Sequence, residues 1–160
     1  TVGYVVTFPD GSNNCGASPG CVRLGLTDDF GQPGADSFDA ALNVLLHAGS
    51  SNSNPLKAVQ AAHGEMTANG RPSAQRIIVL LTDGDFTFNG SRAPFDAEMA
   101  AIAGDGIRVD VIAIGDKPAF RPGLKAIAAP NDGAYLPVHN ADEVDAQLEA
   151  IASGGIALTR

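Results

Sequence analysis

Apolar residues run unbroken from Ile77 to Leu81, and the run stops at Thr82-Asp83-Gly84-Asp85. Residues 76–82 therefore predict a strand buried on both faces, as in a parallel sheet covered by helices. Ligands of such sheets bind outside the carboxyl ends of the strands, which puts Asp83 where chemistry would be. Two earlier runs, residues 2–8 and 22–27, read as strands joined by a turn-rich loop. A connection so short excludes a parallel crossover, so the two form a hairpin over residues 2–27. Helical periodicity then appears at 37–47, with Phe38, Leu42, Leu45 and Leu46 on one face. It returns after Asn54-Pro55, a cap followed by a first-turn proline, in a helix with a Leu56, Val59, His63 and Met66 stripe that ends at Asn69-Gly70.

Beyond Asp85 the pattern alternates: a helix at 94–104 (Phe95, Met99, Ile102), a strand at 109–114, a short helix at 122–129, a strand at 134–138 and a last helix at 142–152 (Val144, Leu148, Ile151). Alternation of this kind predicts an α/β fold with a mostly parallel sheet, one antiparallel edge strand and helices on both faces. One domain over residues 1–153 is expected, with 154–160 as a C-terminal extension.

Composition narrows the function. The chain has 160 residues, enough for one domain with a substantial core, and 18 acidic against 10 basic residues give a net charge of −8. Nucleic acid and anionic membrane demand a basic surface, so both are disfavoured as partners. No apolar run approaches the roughly 18 residues that span a bilayer, so membrane insertion by this chain is not expected.

The candidate chemistry is hard-oxygen chemistry. Asp83 and Asp85 offer carboxylate donors of the type that Mg²⁺, Mn²⁺ and Ca²⁺ prefer, and Gly84 is expected to let the chain turn beneath Asp83. An Asp-Gly pair also simply starts turns, the blander reading. Cys15 and Cys21 close a short loop of turn formers, which favours a disulfide of about 2 kcal/mol and an oxidising compartment over two free thiols. His47, His63 and His139 are scattered and read as structural or surface residues. No nucleophile-base arrangement and no phosphate-binding glycine fingerprint is present, so an enzyme is not expected.

Taken in order, four stretches resemble the von Willebrand factor A domain family, a Rossmann-like fold: the hairpin, the polar loop Gly49-Ser-Ser-Asn-Ser-Asn54 before a helix, Ile77-Ile-Val-Leu-Leu-Thr-Asp-Gly-Asp85, and Gly106-Ile-Arg-Val-Asp-Val-Ile-Ala-Ile-Gly115. The resemblance implies an adhesion-type metal site drawing on three loops. Asp83 matches the loop ending the apolar strand. Ser51 matches the polar loop, with Ser53 or Asn52 beside it and Asp85 nearby. Ser51 keeps the hydroxyl oxygen of the commoner Thr. The third loop, Asp-x-Ser-x-Ser after the family's first strand, has no match in these residues, and Val2-Gly-Tyr-Val-Val matches the family's second strand. The central strand, and its ligands, are therefore expected from a separate fragment or partner chain, and residues 1–160 alone are not expected to form a stable monomer.

The function these features imply is a metal-ion-dependent adhesion or protein-binding module of a secreted or surface protein, pilus-associated proteins among them. It would lie in an extracellular, cell-surface or periplasmic setting. The divalent cation would take an acidic group from a protein partner. Two alternatives stand beside it: a subunit of a multi-subunit enzyme or chaperone-like complex, and a scaffold whose metal site has degenerated.

Overall fold

In a computed structural model, the structure describes the backbone of residues 3–6 and 22–27, and residues 54–152 apart from positions 72, 85, 89 and 116. The expected helix at 37–47, the cysteines Cys15 and Cys21, the loop residues Ser51, Asn52 and Ser53, Asp85, His47 and the segment 154–160 lie outside the described residues. The chain divides into two compact units, Thr1–Ala74 with Phe86–Glu98, and Gln75–Asp85 with Met99–Arg160.

In the first unit, β1 (Gly3–Val6) and β2 (Val22–Thr27) pair antiparallel, with Gly3 opposite Thr27 and Val6 opposite Val22. This is the hairpin that the short connection demands. Helix α1 (Leu56–Asn69) packs on both strands. Its start is set by Asn54, whose Oδ1 accepts the Leu56 amide at 3.1 Å, while the Pro55 carbonyl accepts the first helical bond, from Val59 at 2.9 Å. The buried arc is Ala58, Val59 and Ala62; Leu56, His63 and Met66, expected in the stripe, are half-buried. Large apolar residues mark an amphipathic stripe clearly, but here the closest packing runs along its alanines, which hydropathy weights lightly.

The second unit is built on a parallel sheet of β3 (Ile77–Thr82), β4 (Arg108–Ile114) and β5 (Tyr135–Val138), in the order β3-β4-β5. Helix α2 (Ala93–Gly104) leads into β4 through a turn that Gly106 makes at φ 66°, and the strand leaves through Gly115 at φ 82°. Both angles lie in the left-handed region that glycine enters without a Cβ clash. Helix α3 (Arg121–Ala128) buries Leu124 and Ile127 and packs on β4, while α4 (Ala141–Ala152) covers the opposite face, placing Val144 and Ile151 against Ile112 and Val138. The helices on both faces and the parallel register agree with the alternating pattern.

One expectation about β3 is corrected. Its burial alternates: Ile78, Leu80 and Thr82 are buried, Ile77 and Val79 half-buried, and Leu81 is 46% exposed. The strand is not buried on both faces along its length, because the cluster under α4 takes in Ile77 and Val79 and does not reach Leu81. Leu148 of α4, expected in the buried stripe, is likewise 38% exposed. Among the described strands β3 pairs with β4 alone, so one edge of it has no described partner.

Candidate metal centre

Asp83 follows the last residue of β3, at the carboxyl end of the sheet, and is exposed. The turn beneath it is held by Thr82. The Thr82 hydroxyl donates to the Gly84 carbonyl at 2.8 Å, and the Gly84 amide donates back to Thr82 Oγ1 at 3.3 Å. Thr82 is itself buried, so the carboxylate springs from a fixed point of the sheet rather than from a free loop.

The expected role of Gly84 is corrected here. Its φ is not among the positive values, and a Cβ built on it would meet only Phe120 Cε2, at 3.7 Å, an ordinary contact. The hydroxyl of Thr82, not the freedom of glycine, makes the turn.

Among the described residues no group of three His, Cys, Asp or Glu side chains converges to hold a metal ion. Asp83 is thus the sole described member of the expected ligand set; Ser51 and Ser53, with Asn52 and Asp85, lie outside the described residues. As a hard-oxygen donor on a fixed strand end it suits one corner of a site completed by other loops. Among the described residues neither His63 nor His139 belongs to a metal-holding group. His63 Nδ1 lies 2.7 Å from Glu98 Oε1, linking α1 to α2, and the exposed His139 donates its backbone amide to Glu143 Oε2 at 2.8 Å.

Two features were not singled out by sequence reasoning. Asp110, on β4, is fully buried; its carboxylate accepts the Arg108 guanidinium at 2.8 Å and the Ala134 amide at 2.8 Å, tying β4 to the approach of β5. A lone Asp amid Val and Ile in a strand was the available signal. The other is a cavity of about 190 Å³ within the first unit, between Asn54, Leu56 and Lys57 at the start of α1 and Phe88, Ser91, Pro94 and Phe95 at the start of α2. The Phe88 and Phe95 rings lie 5.1 Å apart at 49°.

No helix among the described residues is long and apolar enough to cross a membrane. A search of curated proteins finds no match. Among solved structures, BatB from Bacteroides thetaiotaomicron matches with a TM-score of 0.50 at 18% identity, over 71% of this chain and 62% of that one. An uncharacterized membrane-spanning protein from Vibrio fischeri matches with a TM-score of 0.42 at 24% identity, over 53% of this chain and 50% of that one. The chain thus spans between half and two thirds of the length of these structures, and the first likeness supports the fold alone. The model of the von Willebrand factor type A domain matches residues 26–153, four fifths of the sequence, and the chain belongs to that family.

Proposed function

We propose that the chain is a metal-ion-dependent protein-binding module, with Asp83 as a ligand of a divalent cation and no catalytic role of its own. Membership in the family implies a protein-interaction module and, often, a divalent metal. The observation that carries the finer reading is Asp83 itself: an exposed carboxylate at the carboxyl end of a parallel strand, on a turn fixed by a buried hydroxyl. Ser51 and Ser53 supply the second loop in this reading, with Asn52 and Asp85 close in sequence. The third loop arrives with a strand seated on the edge of β3 opposite β4, from another stretch of the polypeptide or from a partner chain. When bound, the cation offers a coordination position to a carboxylate of the partner protein, so affinity follows the ion. The pairing of Cys15 with Cys21 and an extracellular, surface or periplasmic location, pilus-associated or otherwise, belong to the same proposal and rest on the short cysteine loop.

The test is a Mn²⁺ titration of the full-length polypeptide, read from the electron paramagnetic resonance of the free ion. One tight site is expected, lost in Asp83→Ala and weakened in Ser51→Ala. Identical titrations for wild type and Asp83→Ala would favour the second reading, a scaffold with a degenerate site. That reading draws on the lack of an Asp-x-Ser-x-Ser motif in these 160 residues.

A further inference from the structure

The groove at the starts of α1 and α2 has a definite chemical character. Its apolar walls are Leu56 on one side and Phe88, Pro94 and the fully buried Phe95 on the other. An apolar cavity of roughly 150 Å³ accommodates a benzene ring, so about 190 Å³ suits one aromatic or large aliphatic side chain. Among the described lining residues the one charged side chain is a cation, Lys57, in a chain whose net charge is −8. Lys57 lines the groove, is exposed, and among the described residues has no carboxylate paired with it, and α1 has no acidic residue in its first turn to offset the positive end of the helix dipole. Arg92 lies 5.7 Å from the centre of the Phe88 ring and is paired with Asp96, so among the described residues the charge left over is that of Lys57.

The groove is also placed by chain order. Asn54 directly follows the 49–53 loop, and Phe88 comes five residues after Asp83, so its two walls begin where the two expected ligand loops end. From these features we infer that the groove seats an apolar side chain of the protein partner, on a segment that carries a carboxylate next to that side chain. This inference rests on the protein-binding reading above and names the partner's local chemistry. Lys57 selects the acidic neighbour, and the Phe88 and Phe95 rings select the apolar side chain.

The probes are three fluorescein-labelled peptides in one Gly-Ser frame, differing only at two central positions: Phe-Glu, Ala-Glu and Phe-Gln. Fluorescence anisotropy is measured with the full-length polypeptide in Mg²⁺ and again in EDTA. The Phe-Glu peptide should bind about tenfold more tightly than Ala-Glu, the effect of burying one large apolar side chain. Phe88→Ala should erase that preference, and Lys57→Ala, an exposed position that leaves the fold alone, should erase the preference for Phe-Glu over Phe-Gln. Equal binding of Phe-Glu and Ala-Glu, no binding of any peptide, or preferences untouched by both variants would overturn the proposal. The two conditions separate this claim from the metal reading. A Phe preference that persists equally in EDTA upholds the groove and removes the ion; Mg²⁺-dependent binding with no Phe preference removes the groove and leaves the ion.

Discussion

Thr82 and Gly84 exchange two hydrogen bonds across the residue between them, at 2.8 and 3.3 Å, and that residue is Asp83. A carboxylate held this way loses little freedom on taking a ligand, so its surroundings should matter to affinity as its own charge does. Thr82→Val keeps the shape and removes both bonds. It should cost about 1 kcal/mol of stability and about tenfold in Mg²⁺ affinity, while Thr82→Ser should recover most of the affinity. Gly84→Ala should leave both unchanged. Urea unfolding and Mg²⁺ calorimetry read the two effects; a damaging Gly84→Ala with a silent Thr82→Val would return the turn to the glycine.

The carboxylate of Asp110 should be the least replaceable of the described acidic groups. It is fully buried and accepts from Arg108, whose side chain is only 15% exposed. Asp110→Ala leaves the guanidinium with a buried Nε and no carboxylate, a loss on the order of 3 kcal/mol. Chemical denaturation of the variant should show it, and a loss below 1 kcal/mol would mean that Arg108 swings out to solvent.

Gly133 should refuse any side chain. A Cβ there would stand 1.7 Å from the Val109 carbonyl oxygen and 2.6 Å from its carbon, both backbone atoms of the central strand. Gly133→Ala should therefore destabilise the protein by about 2 kcal/mol or more, by analogy with overpacked cores. A thermal midpoint within a degree of wild type would contradict that close approach.

In the first unit the His63–Glu98 contact joins α1 to α2, with Gln60 Nε2 donating to the second carboxylate oxygen at 3.5 Å. A double-mutant cycle of His63→Ala and Glu98→Ala should give a coupling of about 1 kcal/mol, typical of a part-buried hydrogen bond. A coupling near zero would reduce the contact to a surface pairing.

Much of this architecture is legible in the chain. The Gly106-Ile and Ile-Gly115 pairs bracket a strand in the sequence, and Asn54-Pro55 announces the start of α1. The apolar run ending at Asp83 announces both a strand and the end of the sheet where ligands bind. What remained hidden has a common cause: hydropathy records what a side chain prefers, not what neighbours it finds. Leu81 looks as buried as Leu80, yet Leu80 is buried while the cluster under α4, which takes in Ile77 and Val79, does not reach Leu81. Asp110 looks out of place in β4 until Arg108 and the Ala134 amide are set beside it. Gly84 looks like the maker of the turn because the hydroxyl that does the work, on Thr82, reads as the end of a strand.

The central claim, that Asp83 ligates a divalent cation, is tested most directly by adding substoichiometric Mn²⁺ to the ¹⁵N-labelled full-length polypeptide and following amide signals. Paramagnetic broadening falls steeply with distance, so it reports where the ion sits as well as whether it binds. The amides of Asp83 and Gly84 should vanish first. Those of Asp132 and Gly133, beside the amino end of β4, should stay sharp, because four residues of strand, roughly 13 Å, separate Val109 from the level of Thr82. In Asp83→Ala the selective loss should disappear. Broadening centred away from Asp83, or none at all at ion concentrations that saturate the protein, would contradict the account.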